Sequence, residues 1–261
     1  MLFRSTRLEP RDIVISFNYD TLLEQALEAV GKPYRLFPFR LKSVDEAGGV
    51  IDSERDDDEV IVLKVHGSID WFDRSHFERR MAWHKERNAT PPEDIIFSYG
   101  ASLGLERLVH GPCHNTDPLK NIYRARDLKA LYAKNLLFKA TPRILQPSAT
   151  KLLYATRLND FWRGIGSAGY YNHGMAIVGF SLPVHDDYAR QILYGLVTNY
   201  QRYNWDKHEL GGRKAPLAII DFFSDTESEV HFRHRYRFVD WSRANLSGRG
   251  FDLASLGTIF A

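Results

Sequence analysis

Ile13-Val14-Ile15-Ser16-Phe17-Asn18-Tyr19-Asp20-Thr21-Leu22-Leu23-Glu24 runs from three β-branched residues through a polar turn into a helical pattern. The apolar run predicts a buried strand. Leu22, Leu23, Ala26, Leu27 and Val30 fall at helical spacing, so a helix over 21–30 follows. Asp20 stands where a cap is needed, and Gly31-Lys32-Pro33 supplies the stop. Strand, tight turn and helix make half of a βαβ unit. Two later stretches repeat its opening. Val60-Ile61-Val62-Leu63 leads into Lys64-Val65-His66-Gly67-Ser68, and Met175-Ala176-Ile177-Val178 leads into Gly179-Phe180-Ser181-Leu182-Pro183.

Working outward, the helix expected after the third run covers Leu182–Tyr200, with Pro183 in its first turn, where a missing N–H is harmless. A last clear strand is predicted over Pro216–Phe222, and Ser224-Asp225-Thr226-Glu227 reads as a capping box for the next helix. Another helix is expected over about 150–168. Residues 42–59 are acidic around Gly48-Gly49 and read as a solvated loop. Residues 71–143 are less regular, with helices expected at 75–87 and 119–139, and read as a mostly helical lobe inserted into a single domain spanning 1–261. The expected fold class is therefore α/β, a Rossmann-like parallel sheet with an inserted helical lobe.

The chain has 261 residues, enough for a full core. Its 35 Lys plus Arg against 33 Asp plus Glu remove any bulk electrostatic argument for nucleic acid. A local basic stretch, Lys120, Arg124, Arg126, Lys129, Lys134 and Lys139, interleaves with aromatics but reads better as the solvated face of a helix. Cys113 is the one cysteine, which excludes an intrachain disulfide and a zinc site built on several thiolates. Nothing flanking it suggests a nucleophile. No apolar run approaches the roughly 20 residues that cross a bilayer, so a cytoplasmic location without membrane contact is the expectation.

In an open parallel sheet, ligands bind beyond the carboxyl ends of the strands. Three small, polar clusters in that position point to one shared site, and its chemistry suits a nucleotide. Helix N-termini beside the Asn18–Asp20 and Gly179–Pro183 turns would favour phosphate. Taken one at a time, each residue has a plainer use. Asn18 is a common turn former, His66 is either a satisfied core histidine or a general base, and Gly179 and Ser181 either shape a turn or meet a ligand.

Asn18-x-Asp20, His66-Gly67-Ser68 and Gly179-x-Ser181-Leu182 stand in the order of the sirtuin fold. Phe17–Glu24, Lys64–Ile69 and Ile177–Pro183 followed by Asp186 or Asp187 resemble more closely the sirtuin-like domains of prokaryotic anti-phage defence proteins. Pro142–Lys151 is similar to that group's proline-containing segment, and the likeness spans about residues 12–225. It implies an NAD site and cleavage of the nicotinamide–ribose bond, chemistry that requires positioning and a modest base and no metal. By that resemblance His66 is the general base, Asn18 orients water and ribose, and Asp20 contacts nicotinamide or orders the turn. Phe17, Gly67 and Ser68 line the site, while Gly179, Ser181 and Leu182 hold the phosphates or the adenine-side ribose. Asp221, ending the last strand, is expected to accept from an adenosine ribose hydroxyl, which would favour NAD over its 2′-phosphate.

The chain departs from the pattern in two ways. One cysteine cannot build the four-cysteine zinc module of protein-deacetylating sirtuins. The family's Gly-Ala-Gly-type loop on a first strand has no counterpart in Met1–Arg11, which lacks glycine, so the first βα unit is expected to be missing. That predicts truncation, a loop supplied in trans, or weak turnover, together with a homo-oligomer or partner protein covering the uncovered sheet edge. The alternative reading is a non-catalytic nucleotide-sensing or interaction subunit.

Overall fold

Two all-buried apolar strands organise the chain, Val60–Lys64 and Leu217–Ile220, each the centre of its own three-stranded parallel sheet. The computed structural model describes residues 7–36, 40–44, 50–54, 58–90, 95–98, 103–109, 118–133, 142–146, 165, 169–203, 205–206 and 213–260. These belong to two units, one formed by Met1–Gln146 with Leu152–Phe161, the other by Pro147–Lys151 with Trp162–Ala261.

In the first unit the described elements are β1 (Ile13–Ser16), α1 (Leu22–Ala29), β2 (Tyr34–Arg35), β3 (Arg40–Val44), β4 (Val50–Glu54) and β5 (Val60–Lys64). They are followed by β6 (Trp71–Asp73), α2 (Ser75–Glu86), α3 (Ile95–Ser98), β7 (Leu105–Arg107), β8 (Ile122–Ala125) and α4 (Leu128–Ala133). β5 lies between β1 and β2, parallel to both. A strand covered on both faces must be apolar on both faces, which is why Val60-Ile61-Val62-Leu63 shows no alternation. Ile13 pairs with Ile61 and Ser16 with Lys64, so the two strands end level.

Three expectations change here. The stretch read as an acidic loop over 42–59 contains an antiparallel hairpin, β3 with β4, in which Val44 pairs with Val50. Its β-branched residues carry pairing propensity that the acidic composition hid. Among its described residues the segment 71–143 holds the antiparallel sheet β6-β8-β7 beside its helices, a sheet the helical reading did not include. Over its described residues, the stretch expected as a helix over 119–139 is a short 3₁₀ turn at Pro118–Asn121, strand β8 and α4. Arg124 made β8 look like a solvated helix face, yet the residue is 5% exposed. Its Nε donates to Asp70 Oδ2 at 2.8 Å and its Nη1 to the Tyr34 hydroxyl at 2.6 Å, which is how a charged residue enters a strand interior. Phe72, Ile96, Leu103, Ala125 and Leu131 form the core of this region.

In the second unit β9 (Ala176–Val178), α5 (Asp187–Arg202), β10 (Leu217–Ile220), α6 (Thr226–Arg235), β11 (Ala244–Ser247) and α7 (Leu253–Phe260) follow in order. The sheet order is β11-β10-β9, all parallel, so two successive strand–helix–strand steps build it. Leu193, Val197 and Tyr200 of α5 meet Ile177, Ile219, Phe232 and Tyr236 in the core. Burial pushes the Tyr200 phenol up to about 12.

The helix expected from Leu182 starts at Asp187, with Asp186 as its cap. Leu182 has φ 53, a left-handed conformation that no right-handed helix admits. The next cap is shifted by one residue: Asp225 accepts from Ser228 N, and the Ser228 hydroxyl closes the box. The helix expected over 150–168 lies outside the described residues apart from Ile165, as do Cys113 and its neighbours. The fold is mixed α/β. Among the described residues no helix is long and apolar enough to cross a membrane.

Candidate functional site

Because β1 and β5 are parallel and end level, Phe17–Asp20 and Val65–Ser68 emerge side by side. The backbone carbonyl of Tyr19 accepts from Ile69 N at 3.0 Å and from the Ser68 hydroxyl at 3.2 Å. Gly67 has φ 79 and donates to Lys64 O at 3.0 Å, turning the chain immediately after His66. Asn18 N donates to Ser16 Oγ at 3.2 Å. Asp20 does not take the formal capping position, which falls to Thr21. Its Oδ1 instead accepts from Leu22 N at 3.0 Å, and this satisfies one of the orphan amides of α1.

His66 is the chemical centre of this cluster. Nδ1 lies 3.3 Å from Phe17 O. A carbonyl only accepts, so Nδ1 carries the proton in this contact and the neutral ring keeps its lone pair on Nε2. The Phe17 ring meets the imidazole edge-on at 5.3 Å, and Tyr19 stacks on it at 6.0 Å. His66 is buried, 2% exposed. Asn18, by contrast, is exposed.

Pro142–Gln146, part of the proline-containing segment noted by resemblance, crosses this cluster as backing. Ile144 bridges Gly67, Leu145 N donates to His66 O at 2.8 Å, and Ser68 N donates to Arg143 O at 3.1 Å. The Tyr19 hydroxyl donates to Leu145 O at 2.8 Å. Beneath the turn, Lys64 Nζ donates to Glu24 Oε1 at 2.8 Å and to the backbone carbonyl of Asp20, with both charged side chains 1% exposed. Burial raises the Glu24 pKa above its ordinary value, and the Lys64 charge opposes that rise. Both residues stand in the stretches that carry the resemblance, but neither was given a role there. The available signal was a lysine closing an otherwise apolar, fully buried strand.

The second unit carries the remaining expected residues. Gly179, Ser181 and Leu182 follow β9, and Asp221 follows β10, its neighbour in the sheet. Gly179 N donates to Ile220 O at 2.8 Å, so the two strand ends meet there. Gly179 and Ser181 are exposed, whereas Leu182 is buried. Asp221 is half-buried, and its Oδ1 accepts from Phe222 N at 2.8 Å. No helix opens directly at the Gly179–Pro183 turn. The helix begins four residues past Pro183, and the Asp186 carboxylate holds Ala189 N at 3.0 Å, occupying an amide expected to face phosphate.

A cavity of about 410 Å³ lies in the first unit, lined by residues including Tyr34, Arg107, Arg124 and Arg126 and by none of the strand-end residues. Its cations are engaged internally. Arg126 Nε pairs with Glu106 at 2.8 Å, Arg35 with Glu59 at 3.5 Å, and Arg107 Nε donates to the Tyr123 hydroxyl at 3.3 Å. Arg124 and Arg126 therefore serve internal ion pairs, which weakens the nucleic-acid reading of their stretch.

Residues 12–98, about a third of the chain, match the SIR2-like domain family. The match contains β1, the Asn18–Asp20 turn, β5 and His66-Gly67-Ser68, and stops well before Gly179. No curated protein matches the chain. What the chain resembles in its first unit is a SIR2-like domain.

Proposed function

We propose that the chain acts on NAD+, hydrolysing the nicotinamide–ribose bond to give nicotinamide and ADP-ribose. The observation that carries this reading is the His66–Phe17 contact at 3.3 Å, which leaves Nε2 as the basic nitrogen at the end of β5, beside the turn that follows β1. In the reaction the C1′–N1 bond breaks and its electron pair neutralises the nicotinamide ring. Water adds to C1′ and gives its proton to Nε2 of His66. Asn18 orients the water and ribose, and Asp20 orders the turn, a role supported by its bond to Leu22 N. Phe17, Gly67 and Ser68 line this cluster. Gly179, Ser181, Leu182 and Asp221 are assigned to the nucleotide by resemblance, and the exposure of Gly179 and Ser181 supports that assignment. The same likeness assigns a Rossmann-like sheet and a role in anti-phage defence through NAD depletion.

A second reading, a nucleotide-sensing subunit without turnover, is favoured by the burial of the His66 ring. One experiment separates them. Purified protein is incubated with NAD, and nicotinamide and ADP-ribose are followed by mass-resolved chromatography beside His66→Ala. Product that disappears in the variant supports the hydrolase, whereas NAD binding without product supports the sensor.

A further inference from the structure

A lysine ammonium that is 1% exposed, at the end of a strand, carries a large desolvation penalty. An apolar residue of similar volume would fill the same space without it, so packing does not account for Lys64. Charge balance accounts for one of its bonds, the 2.8 Å pair with Glu24 Oε1. It does not account for the other, to the backbone carbonyl of Asp20. That carbonyl belongs to the residue whose carboxylate holds Leu22 N, so Asp20 is fixed from both ends, by α1 and by β5. Ser16 and Lys64 are paired in register, which puts the ammonium level with the start of the turn.

We propose that Lys64 is a positioning residue: its buried ammonium anchors the Asn18–Asp20 turn to the end of β5 and so sets where Asn18 and Asp20 stand relative to His66. Glu24 holds the ammonium in aim, and the Asp20 carbonyl is the contact that matters for function. The catalytic part of this proposal rests on the hydrolase reading above. The structural part, that Lys64 orders the turn, stands without it.

The test compares Lys64→Met with Lys64→Met/Glu24→Met, which removes both charges together and avoids an uncompensated carboxylate. Three quantities are read: Tm, amide hydrogen exchange, and nicotinamide release from NAD. The single variant loses Tm. The double variant recovers it to within a few degrees, yet its Leu22 and Ile69 amides exchange at least tenfold faster while Val62 in β5 stays protected, and kcat falls at least tenfold. Full recovery of Leu22 and Ile69 protection together with Tm would overturn the proposal and leave the pair a matter of stability alone. If the wild-type chain releases no nicotinamide, the hydrolase reading fails, and the exchange pattern still decides the role of Lys64.

Discussion

The two strand-end clusters are built in opposite ways. After β1 and β5 the geometry is set by buried side chains: His66 is 2% exposed, Ser68 0%, and Lys64 and Glu24 lie beneath them. After β9 the backbone sets it. Gly179 and Leu182 take φ 59 and 53, and the exposed Gly179 and Ser181 leave the turn open. On the proposed reading, a base that must hold one tautomer needs an over-determined surround, whereas a nucleotide's phosphates would be met by exposed backbone and hydroxyl groups. The contrast predicts that substitutions in the first cluster disturb stability and chemistry together, and that those in the second separate the two.

The largest effect is expected at His66. Replacement by Ala removes the base and lowers NAD hydrolysis by about 10²–10⁴-fold, read as nicotinamide release. Unchanged turnover would take the base away from the first cluster altogether.

Next comes Lys64→Met, with a cost of about 3–5 kcal/mol near pH 8 from urea midpoints, because the Glu24 charge is left buried alone. The cost shrinks at pH 5. Burial already raises the Glu24 pKa above 4.5 against the opposing Lys64 charge. An acid raised in the folded state favours folding below 4.5 and loses that advantage as pH climbs through its folded value. Removing Lys64 raises that value further, so the variant regains stability on acidification. A pH-independent cost would mean that Glu24 finds another partner.

Smaller effects belong to the second cluster. Gly179→Ala meets no atom within 4 Å of its new Cβ, so only the left-handed φ is penalised, by about 1–2 kcal/mol in chemical denaturation. Ser181→Ala, on an exposed side chain, changes stability by less than about 0.5 kcal/mol. If its hydroxyl holds the nucleotide it weakens NAD binding several-fold by calorimetry. Equal binding in wild type and variant would remove Ser181 from the site and break the comparison.

How much of this was legible in the sequence follows the same division. β5 and β10 stood out because parallel strands buried on both faces are apolar without interruption, and β1 and β9 because their runs are equally apolar although Ile13 and Val178 stay exposed. β8 did not, because Arg124 is buried through partners at Tyr34 and Asp70, distant in sequence. β11, Ala244-Asn245-Leu246-Ser247, has no β-branched residue and is a strand through its pairing with β10. The start of α5 was missed because nothing in Leu182 announces a left-handed backbone. The side chains His66, Asn18 and Asp20 were legible as types at strand ends. The Lys64–Glu24 pair was not: both residues stand in the stretches that carry the resemblance, but their contact exists only once the strand and helix that carry them are packed.

The Tyr19 carbonyl joins residues 49 positions apart through Ser68, and the Tyr19 hydroxyl reaches 126 positions to Leu145. Such contacts form only after long loops have closed, an entropic cost met before any of them rewards the chain. A nascent chain released before Leu145 therefore holds the residues of this cluster without its shape. Competence is expected to appear late in refolding, after secondary structure, as a step set by topology.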